Sequence, residues 1–202
     1  MFVFGASGHG KVIIDMLETL ETVHGVFDDD LQRKDLLGYP VASLPENPCS
    51  EQPFLIAIGD NRIRREIYER LADKVQFGTL MHPTAIVSKR SMVGKGTVVM
   101  EGAIIKVDSR IGSQVIVNTN ASVDHDCAVG DFVHLAPQAT LCGGVTVGEG
   151  TIIGANATVI PYVKIGAWCR IGAGSVVNKD VPDGATWIGS APKDVDNRVA
   201  KA

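Results

Sequence analysis

The sequence predicts a small α/β domain followed by a parallel β-helix, and three observations support this prediction. Over residues 87–177 an aliphatic residue recurs at every sixth position. Glycine recurs every 18 residues between Gly94 and Gly166, which groups three six-residue units into one coil. Before this repeat, strand and helix patterns alternate, as in a small parallel sheet. We therefore predict an α/β domain at 1–80 and a β-helix with a C-terminal tail at 81–202.

The period of six excludes an α-helical stripe, which needs 3.6 residues, and indicates short strands that turn after each unit. The residue two positions before each aliphatic is small or β-branched, so both share the inner face of a strand. The glycine column predicts a corner that needs either positive φ or a close backbone approach. Its members are Gly94, Gly112, Gly130, Gly148 and Gly166.

The first 80 residues predict four strands and two helices. We expect strands at 1–5, 23–27, 53–59 and 75–80, and helices at 11–20 and 61–73. The first helix would bury Val12, Ile13, Met16, Leu17 and Leu20, and the second Ile63, Ile67, Tyr68 and Leu71, because these residues fall at helical spacing.

A glycine-rich loop, residues 5–12, links the first strand to the first helix. Its backbone N–H groups and the helix dipole favour an anion. The spacing resembles a Walker motif, but Val12 stands where a Ser or Thr should hold magnesium, so an NTPase is disfavoured. The loop instead predicts a pyrophosphate cradle.

An acidic run, Asp28, Asp29 and Asp30, follows the second predicted strand about twenty residues after the loop. Acidic groups at this position meet a ribose or base in related folds, so we expect a nucleotide contact. The alternative is a solvated turn.

Two histidines of the repeat region are candidate functional residues. His125 follows an inward aliphatic, sits at a coil corner and is flanked by Asp124 and Asp126, as a general base requires. His134 also points outward, about half a coil further on. Zinc held by His125, His134 and His82, as in γ-class carbonic anhydrases, fits the spacing poorly, and polar interface histidines are the other alternative. We therefore predict no metal.

The cysteines form no C-x-x-C pair and fit a reducing compartment. Cys127 and Cys169 occupy inward positions, whereas Cys142 lies near a predicted groove without an evident base, so covalent catalysis through a cysteine is disfavoured. The net charge of −4 is spread along the chain, which argues against nucleic-acid or membrane binding. With no signal-peptide pattern and no apolar run long enough for a bilayer, we expect a cytoplasmic protein.

These pieces together resemble one family. The matching segments are Gly-Ala-Ser-Gly-His-Gly at 5–10, Ile-Gly-Asp-Asn-Arg-Ile-Arg at 58–64, His-Pro at 82–83, Asn-Thr at 118–119 and Val-Asp-His-Asp at 123–126. The chain resembles the sugar-nucleotide acetyltransferases that include the sialic acid O-acetyltransferase (NeuD) group. It is especially similar to the PglD type, which acetylates UDP-4-amino-4,6-dideoxy-N-acetylglucosamine in bacillosamine synthesis. The resemblance implies a left-handed β-helix.

The resemblance also implies a homotrimer in which acetyl-CoA lies between two β-helices and a UDP-sugar binds the N-terminal domain. His125 would be the general base and Asp126 would orient it. The residues implied near acetyl-CoA are His134, Gly143, Ala155 and Ala173. The residues implied to bind the sugar nucleotide are Gly8, His9, Asp29, Asp30, Gly59, Asn61 and Asn118.

Three functions remain open within this resemblance. The first is acetyl-CoA-dependent N-acetylation of the 4-amino group of a UDP-linked amino-dideoxy sugar. The second is O-acetylation of sialic acid, or N-acetylation of a GDP- or dTDP-linked amino sugar. The third is a trimeric scaffold that only binds a sugar nucleotide, which the aspartate-flanked His125 disfavours because a scaffold needs no general base.

Overall fold

The computed structural model describes residues 1–30, 32–46, 48 and 51–190 and has the two predicted parts. Cys49 and the tail residues 191–202 lie outside the described residues. The N-terminal sheet has the order β3-β4-β2-β1-β5, parallel except for the antiparallel β3–β4 pair. Its elements are β1 (Phe2–Phe4), α1 (Gly8–Glu18), β2 (Gly25–Phe27), β3 (Asp35–Leu36), β4 (Tyr39–Ala42), β5 (Phe54–Ile56) and α2 (Asn61–Leu71).

The N-terminal strands differ from their predictions in two ways. The hairpin β3–β4 was not predicted; its two-residue turn at Leu37 and Gly38 has φ of 55° and 85°, as tight hairpin turns require. The predicted strand at 75–80 is wrong. In its place Phe77 forms an isolated bridge with Phe54, and Leu80 already belongs to the β-helix.

The two helices bury a different set of residues from the predicted stripes. Val12 and Leu20 of the first stripe are exposed, and α1 buries Ile14 instead. In α2, Ile63 is 48% exposed whereas Arg64 is only 1% exposed. The predicted buried face of α2 is wrong here, because the surface that covers this side of the helix is polar. Backbone carbonyls of the β-helix form that surface.

The β-helix has three faces of parallel two-residue strands. The first face holds β6 (Leu80–Met81), β9 (Val98–Val99), β12 (Ile116–Val117), β15 (His134–Leu135), β18 (Ile152–Ile153), β21 (Arg170–Ile171) and β23 (Thr186–Trp187). The second face holds β7 (Ile86–Val87), β10 (Ile104–Ile105), β13 (Ser122–Val123), β16 (Thr140–Leu141), β19 (Thr158–Val159) and β22 (Val176–Val177). The third face holds β8 (Met92–Val93), β11 (Arg110–Ile111), β14 (Ala128–Val129), β17 (Thr146–Val147) and β20 (Lys164–Ile165).

Successive strands on a face pair 18 residues apart, as in Ile104 with Ser122, so the predicted coil length is confirmed. We call the corner between the first and second faces the first corner, that between the second and third faces the second corner, and the remaining one the third corner. The inward aliphatic and small side chains pack into one continuous buried core along the whole β-helix.

The glycine column at the third corner is explained by close backbone approach and not by positive φ. A Cβ on Gly148 would lie 2.5 Å from the Ala167 nitrogen, and one on Gly130 would lie 2.8 Å from the Glu149 nitrogen. Positive φ instead occurs at every sixth residue from Gly96 to Gly174, at the corners. These residues are Gly96, Gly102, Asp108, Gln114, Asn120, Asp126, Phe132, Gln138, Gly144, Gly150, Asn156, Tyr162, Trp168 and Gly174.

The N-terminus of α2 docks on the third corner of successive coils. Arg64 donates to the carbonyls of Gln114 and Phe132, both at 2.8 Å, and Asn61 donates to the carbonyl of Gly150 at 3.0 Å. These three carbonyls belong to positive-φ corner residues spaced 18 apart. The corner thus presents a column of acceptors, and α2 supplies the matching donors, which fixes the N-terminal domain against the β-helix.

Candidate functional site

His125 lies at the second corner, in the turn after β13, with its side chain 48% exposed. Its Nδ1 lies 2.7 Å from Asp126 Oδ2, and its backbone N–H donates to Asp124 Oδ1 at 2.8 Å. The hydrogen bond with Asp126 raises the pKa of His125, and the charge of Asp124 acts in the same direction, while Lys106 opposes it. Because a carboxylate accepts at Nδ1, the lone pair of the neutral ring is on Nε2.

Gly143 stands one coil beyond His125 at the same corner. A Cβ on Gly143 would lie 2.6 Å from Cε1 and 2.7 Å from Nε2 of His125, so any other residue here would displace the imidazole from this position. The Gly143 N–H donates to no acceptor among the described residues, whereas the next N–H, of Gly144, donates to the His125 carbonyl at 2.9 Å. An available base and an unpaired backbone donor therefore lie side by side.

The cysteines give no activated thiolate near this corner. Cys127 is buried and donates to the Cys142 carbonyl at 3.2 Å, so its predicted inward position is confirmed; Cys169 is likewise buried. Cys142 is half-buried, and burial followed by the charge of Asp124 raises the pKa of its thiol. A raised thiol pKa disfavours a nucleophilic role at neutral pH.

His134 lies on the first face, away from the second corner, so one chain does not bring it together with His125 or Gly143. The His134 side chain points outward from its strand, as predicted, but the N-terminal domain covers the imidazole ring. Burial, then the charges of Arg64 and His9, lower the pKa of His134 to about 4, while the Gly59 carbonyl opposes them. This imidazole is neutral at physiological pH.

Asn118 determines the tautomer of His134. The Asn118 Oδ1 accepts from the Thr119 N–H at 2.8 Å, which turns its Nδ2 toward His134 Nε2 at 3.1 Å. His134 Nε2 is therefore the acceptor and Nδ1 carries the proton. This Nδ1 is buried and makes no hydrogen bond of good geometry to any described residue.

His9 lies in the first turn of α1 and faces the same interdomain cluster as His134 and Arg64. Burial, and then the charge of Arg64, lower the pKa of His9 to about 4. Its Nε2 is buried without a partner among the described residues. The ring does not point to solvent, and two neutral histidines with unpaired nitrogens meet where the two domains join.

The N-terminus of α1 is open. Ser7 makes no side-chain capping bond, and a Cβ on Gly8 would meet nothing within 4 Å. By contrast, Asp60 caps α2 by accepting from the N–H groups of Arg62 and Ile63. The first N–H groups of α1 are thus free to bind an anion from outside.

The acidic run is used largely by the protein itself. Asp28 accepts from the Ala6 N–H at 2.6 Å and so shapes the glycine loop. Asp29 pairs with Arg70 at 2.9 Å on the surface. Asp30 pairs with Arg33 at 3.1 Å. Both of these last pairs are exposed, so either carboxylate can exchange its partner for a ligand at little cost.

The remaining predicted site residues lie in two places. Asn61 is committed at both ends of its amide, to β-helix carbonyls and to Arg64, so it joins the domains instead of facing a ligand. Gly59 lies beside it in the interdomain cluster. Ala155 and Ala173 lie at the first corner, one coil apart and open to solvent in part, again away from Gly143.

Arg64 is the functional residue that the sequence analysis missed. Its guanidinium also donates to the Ile58 carbonyl at 2.9 Å and to Asn61 Oδ1 at 2.7 Å, and burial lowers its pKa to about 9. No local signal separates it from Arg62 or Arg65 on the same helix, because its partners lie 50 and 68 residues away.

The described residues offer neither a metal-binding cluster nor a membrane-spanning helix. No cluster of three or more His, Cys, Asp or Glu side chains there could hold a metal ion. Within the same part of the chain, no helix has both the length and the apolar character to cross a membrane.

Comparison with known proteins connects this geometry to a family. The PglD N-terminal domain matches residues 1–71, and the bacterial transferase hexapeptide (six repeats) matches residues 144–179. Over 103 residues the chain is 41% identical to the UDP-N-acetylbacillosamine N-acetyltransferase of Bacillus subtilis (strain 168). That match covers 46% of this chain and about half of that enzyme, 48%.

Solved structures of acetyltransferases match over most of the chain, among them two that carry a bound ligand. One is a mutant form of perosamine N-acetyltransferase from Caulobacter crescentus in complex with CoA and GDP-perosamine. It is 41% identical with a TM-score of 0.89 and covers 93% of this chain and 92% of that one. The other is the acetyltransferase domain of PglB from Neisseria gonorrhoeae FA1090 in complex with acetyl coenzyme A. It is 40% identical with a TM-score of 0.87 and covers 93% and 95%.

Proposed function

The chain belongs to the PglD-type family of hexapeptide-repeat sugar acyltransferases, and we propose that it acetylates an amino group of a nucleotide-linked sugar with acetyl-CoA. One observation carries this proposal. His125 Nδ1 is held by Asp126 at 2.7 Å, which leaves Nε2 free beside the unpaired N–H of Gly143. Acyl transfer needs this pair, a base and an oxyanion donor.

The proposed reaction is a direct transfer. The sugar amine attacks the thioester carbonyl carbon, and the new C–N bond forms as the carbonyl oxygen becomes an oxyanion. The Gly143 N–H stabilises that oxygen, and His125 Nε2 takes the proton that the amine loses. The C–S bond then breaks, and coenzyme A leaves as the thiolate, which recovers the proton from His125.

We propose the open N-terminus of α1 as the binding site for the acceptor's diphosphate. Gly8 is accessible there and the first N–H groups of α1 are free, which suits phosphate oxygens. His9 and His134 meet beside this helix end and suit the neutral hydroxyl or amide groups of the sugar, and Asn118 orients the second ring. His134 therefore groups with the acceptor-binding residues, in contrast to its predicted role beside acetyl-CoA.

The acceptor-binding residues and His125 lie on different sides of one β-helix. A complete site on this proposal needs the second corner of one copy against the first face of another, which agrees with the expected homotrimer. Ala155 and Ala173, at the first corner, would then line the groove for acetyl-CoA from the neighbouring copy.

The acceptor's nucleotide separates two candidates. A UDP-linked 4-amino sugar is the leading candidate, because the family match to the N-terminal domain is to the PglD type. A GDP-linked amino sugar is the second, because a relative that binds GDP-perosamine matches 93% of the chain. The ion pairs of Asp29 and Asp30 are exposed, so either nucleobase has room to bind beside them.

The test measures coenzyme A thiol released from acetyl-CoA with three acceptors: UDP-4-amino-4,6-dideoxy-N-acetylglucosamine, GDP-perosamine and free sialic acid. Wild type is compared with His125→Ala and with His24→Ala, which removes an exposed histidine of the N-terminal domain. We expect release with one nucleotide-linked amino sugar, a drop of roughly a hundredfold or more in His125→Ala, and no change in His24→Ala.

Each other outcome has a distinct meaning. Release only with sialic acid would replace N-acetylation by O-acetylation. Release that survives in His125→Ala would place the base elsewhere. Tight binding of a sugar nucleotide with no acetyl-CoA turnover under any condition would favour the scaffold.

A further inference from the structure

Three of the positive-φ corner residues are aromatic: Phe132, Tyr162 and Trp168, with φ of 57°, 64° and 56°. Two of them are covered by α2. Phe132 packs edge-on against Tyr68 with centroids 5.4 Å apart, and the Arg62 guanidinium lies 4.7 Å over Trp168. Tyr162 is 75% exposed and has no ring partner among the described residues. An exposed aromatic side chain at positive φ gains nothing for folding that Asn or Gly would not give.

Tyr162 belongs to the corner that holds the proposed base and oxyanion donor. Its N–H donates to the Gly143 carbonyl at 3.0 Å. Its ring lies over Gly144, where an added Cβ would be 2.6 Å from the ring's Cδ1. Tyr162 thus lies one coil beyond Gly143 and two coils beyond His125. Its ring bounds the space beside the unpaired Gly143 N–H on that side.

The two sides of His125 along this corner differ in character. On the preceding coils Arg90, Asp108 and Arg110 line a cleft together with Asp126. On the following coils stand Gly143, Gly144 and the uncovered ring of Tyr162. A charged ligand group therefore fits the first side, and an uncharged, largely apolar chain fits the second.

We infer that Tyr162 is a binding residue for the acyl donor, whose pantetheine arm packs on the tyrosine ring next to the thioester. This inference rests on the proposed function, since it takes acetyl-CoA as the donor. The arm is uncharged and mostly apolar near the thioester, so it matches the ring and not the charged cleft. Contact with the ring holds the thioester carbonyl over the Gly143 N–H.

The test compares Tyr162→Asn and Tyr162→Phe with wild type. Asparagine tolerates positive φ, so the corner keeps its backbone. The matched control is Leu37→Asn, an exposed apolar residue with φ of 55° in the β3–β4 turn, far from this corner. Coenzyme A binding is measured by calorimetry without acceptor, and KM for each substrate is measured by thiol release.

We expect Tyr162→Asn to weaken coenzyme A binding and to raise the acetyl-CoA KM by about tenfold, with the acceptor KM unchanged. Tyr162→Phe and Leu37→Asn should match wild type. If wild type binds coenzyme A and Tyr162→Asn binds it equally well, the inference alone fails. If Tyr162→Asn instead changes only the oligomer mass, the ring covers a neighbouring copy and the inference also fails. A wild type that binds no coenzyme A overturns the proposed function, and this inference with it.

Discussion

His125 and His134 are nine residues apart on the same β-helix, but their surroundings give them opposite properties. His125 is exposed, and an aspartate raises its pKa. His134 is covered by the N-terminal domain, and burial together with the Arg64 charge lowers its pKa to about 4. The first ring is suited to accept a proton, and the second is held neutral.

The difference follows from what the protein leaves open. At the second corner the His125 ring is exposed with no partner for its Nε2 among the described residues, and the N–H of the buried Gly143 beside it is likewise unpaired among them. At the domain junction Arg64 and Asn61 use almost every donor to fix the two parts together. On the proposed function, proton transfer takes place in the open region, and the filled region orients the acceptor.

The largest expected effect comes from replacing each histidine by asparagine. We expect His125→Asn to lower kcat by roughly 10²–10⁴-fold, since it removes the general base. His134→Asn should mainly raise the acceptor KM, because this ring binds without taking the proton. Steady-state kinetics with both substrates varied make the comparison; an equal loss of kcat in the two variants would contradict it.

Removal of the Arg64 guanidinium tests the filled region. Arg64→Met leaves buried carbonyls unsatisfied, including those of Gln114 and Phe132, and should cost about 2–4 kcal/mol of unfolding free energy. The control Arg62→Met removes an exposed arginine over Trp168 and should cost about 0.5–1 kcal/mol. Urea unfolding measures both, and similar losses would mean that Arg64 does not join the domains.

His9 and His134, at the domain junction, lead us to expect that the protein loses stability in acid. The pKa values of His9 and His134 are lowered from 6.5 to about 4 in the folded state, so the unfolded chain binds more protons between those values. Stability should therefore fall as pH drops from about 6.5 to 4, by up to about 1.4 kcal/mol per pH unit for each histidine.

Urea unfolding at pH 7, 6 and 5 measures how the free energy of unfolding changes with pH. His134→Asn should reduce this slope by the equivalent of about one bound proton. The raised pKa of His125 affects stability in the opposite direction. Its stabilising contribution is complete below pH 6.5 and is lost as pH rises through the pKa of the folded state. Hence His125→Asn should leave the acid-side slope in place. A slope unchanged by His134→Asn would mean that this ring titrates normally.

The smallest predicted effect concerns Asp126, whose carboxylate is hydrogen-bonded to the proposed base His125. Asp126→Asn should lower the pKa of His125 toward its ordinary value, because the hydrogen bond with Asp126 is the main cause of the raised pKa. The acidic limb of the kcat/KM profile should move to lower pH, with roughly a tenfold loss at the plateau. A profile that stays in place would show that Asp126 does not act through His125.

The sequence predicted most of the fold. The 18-residue coil, the inward positions of Cys127 and Cys169 and the exposed His125 follow from spacing alone, because each depends on the repeat. The helix stripes failed at Ile63 and Arg64, where the covering surface is a column of carbonyls and not an apolar core.

The sequence by itself determined the period, the faces and the residue types at each corner, because a six-residue repeat fixes every side chain's direction locally. Only the tertiary structure decided which outward residues stay open. Covering by the N-terminal domain buries His134, and docking of α2 covers Trp168 but not Tyr162. The hydrogen bonds that dock α2 on the β-helix join residues 50 to 90 positions apart, and no local pattern records them.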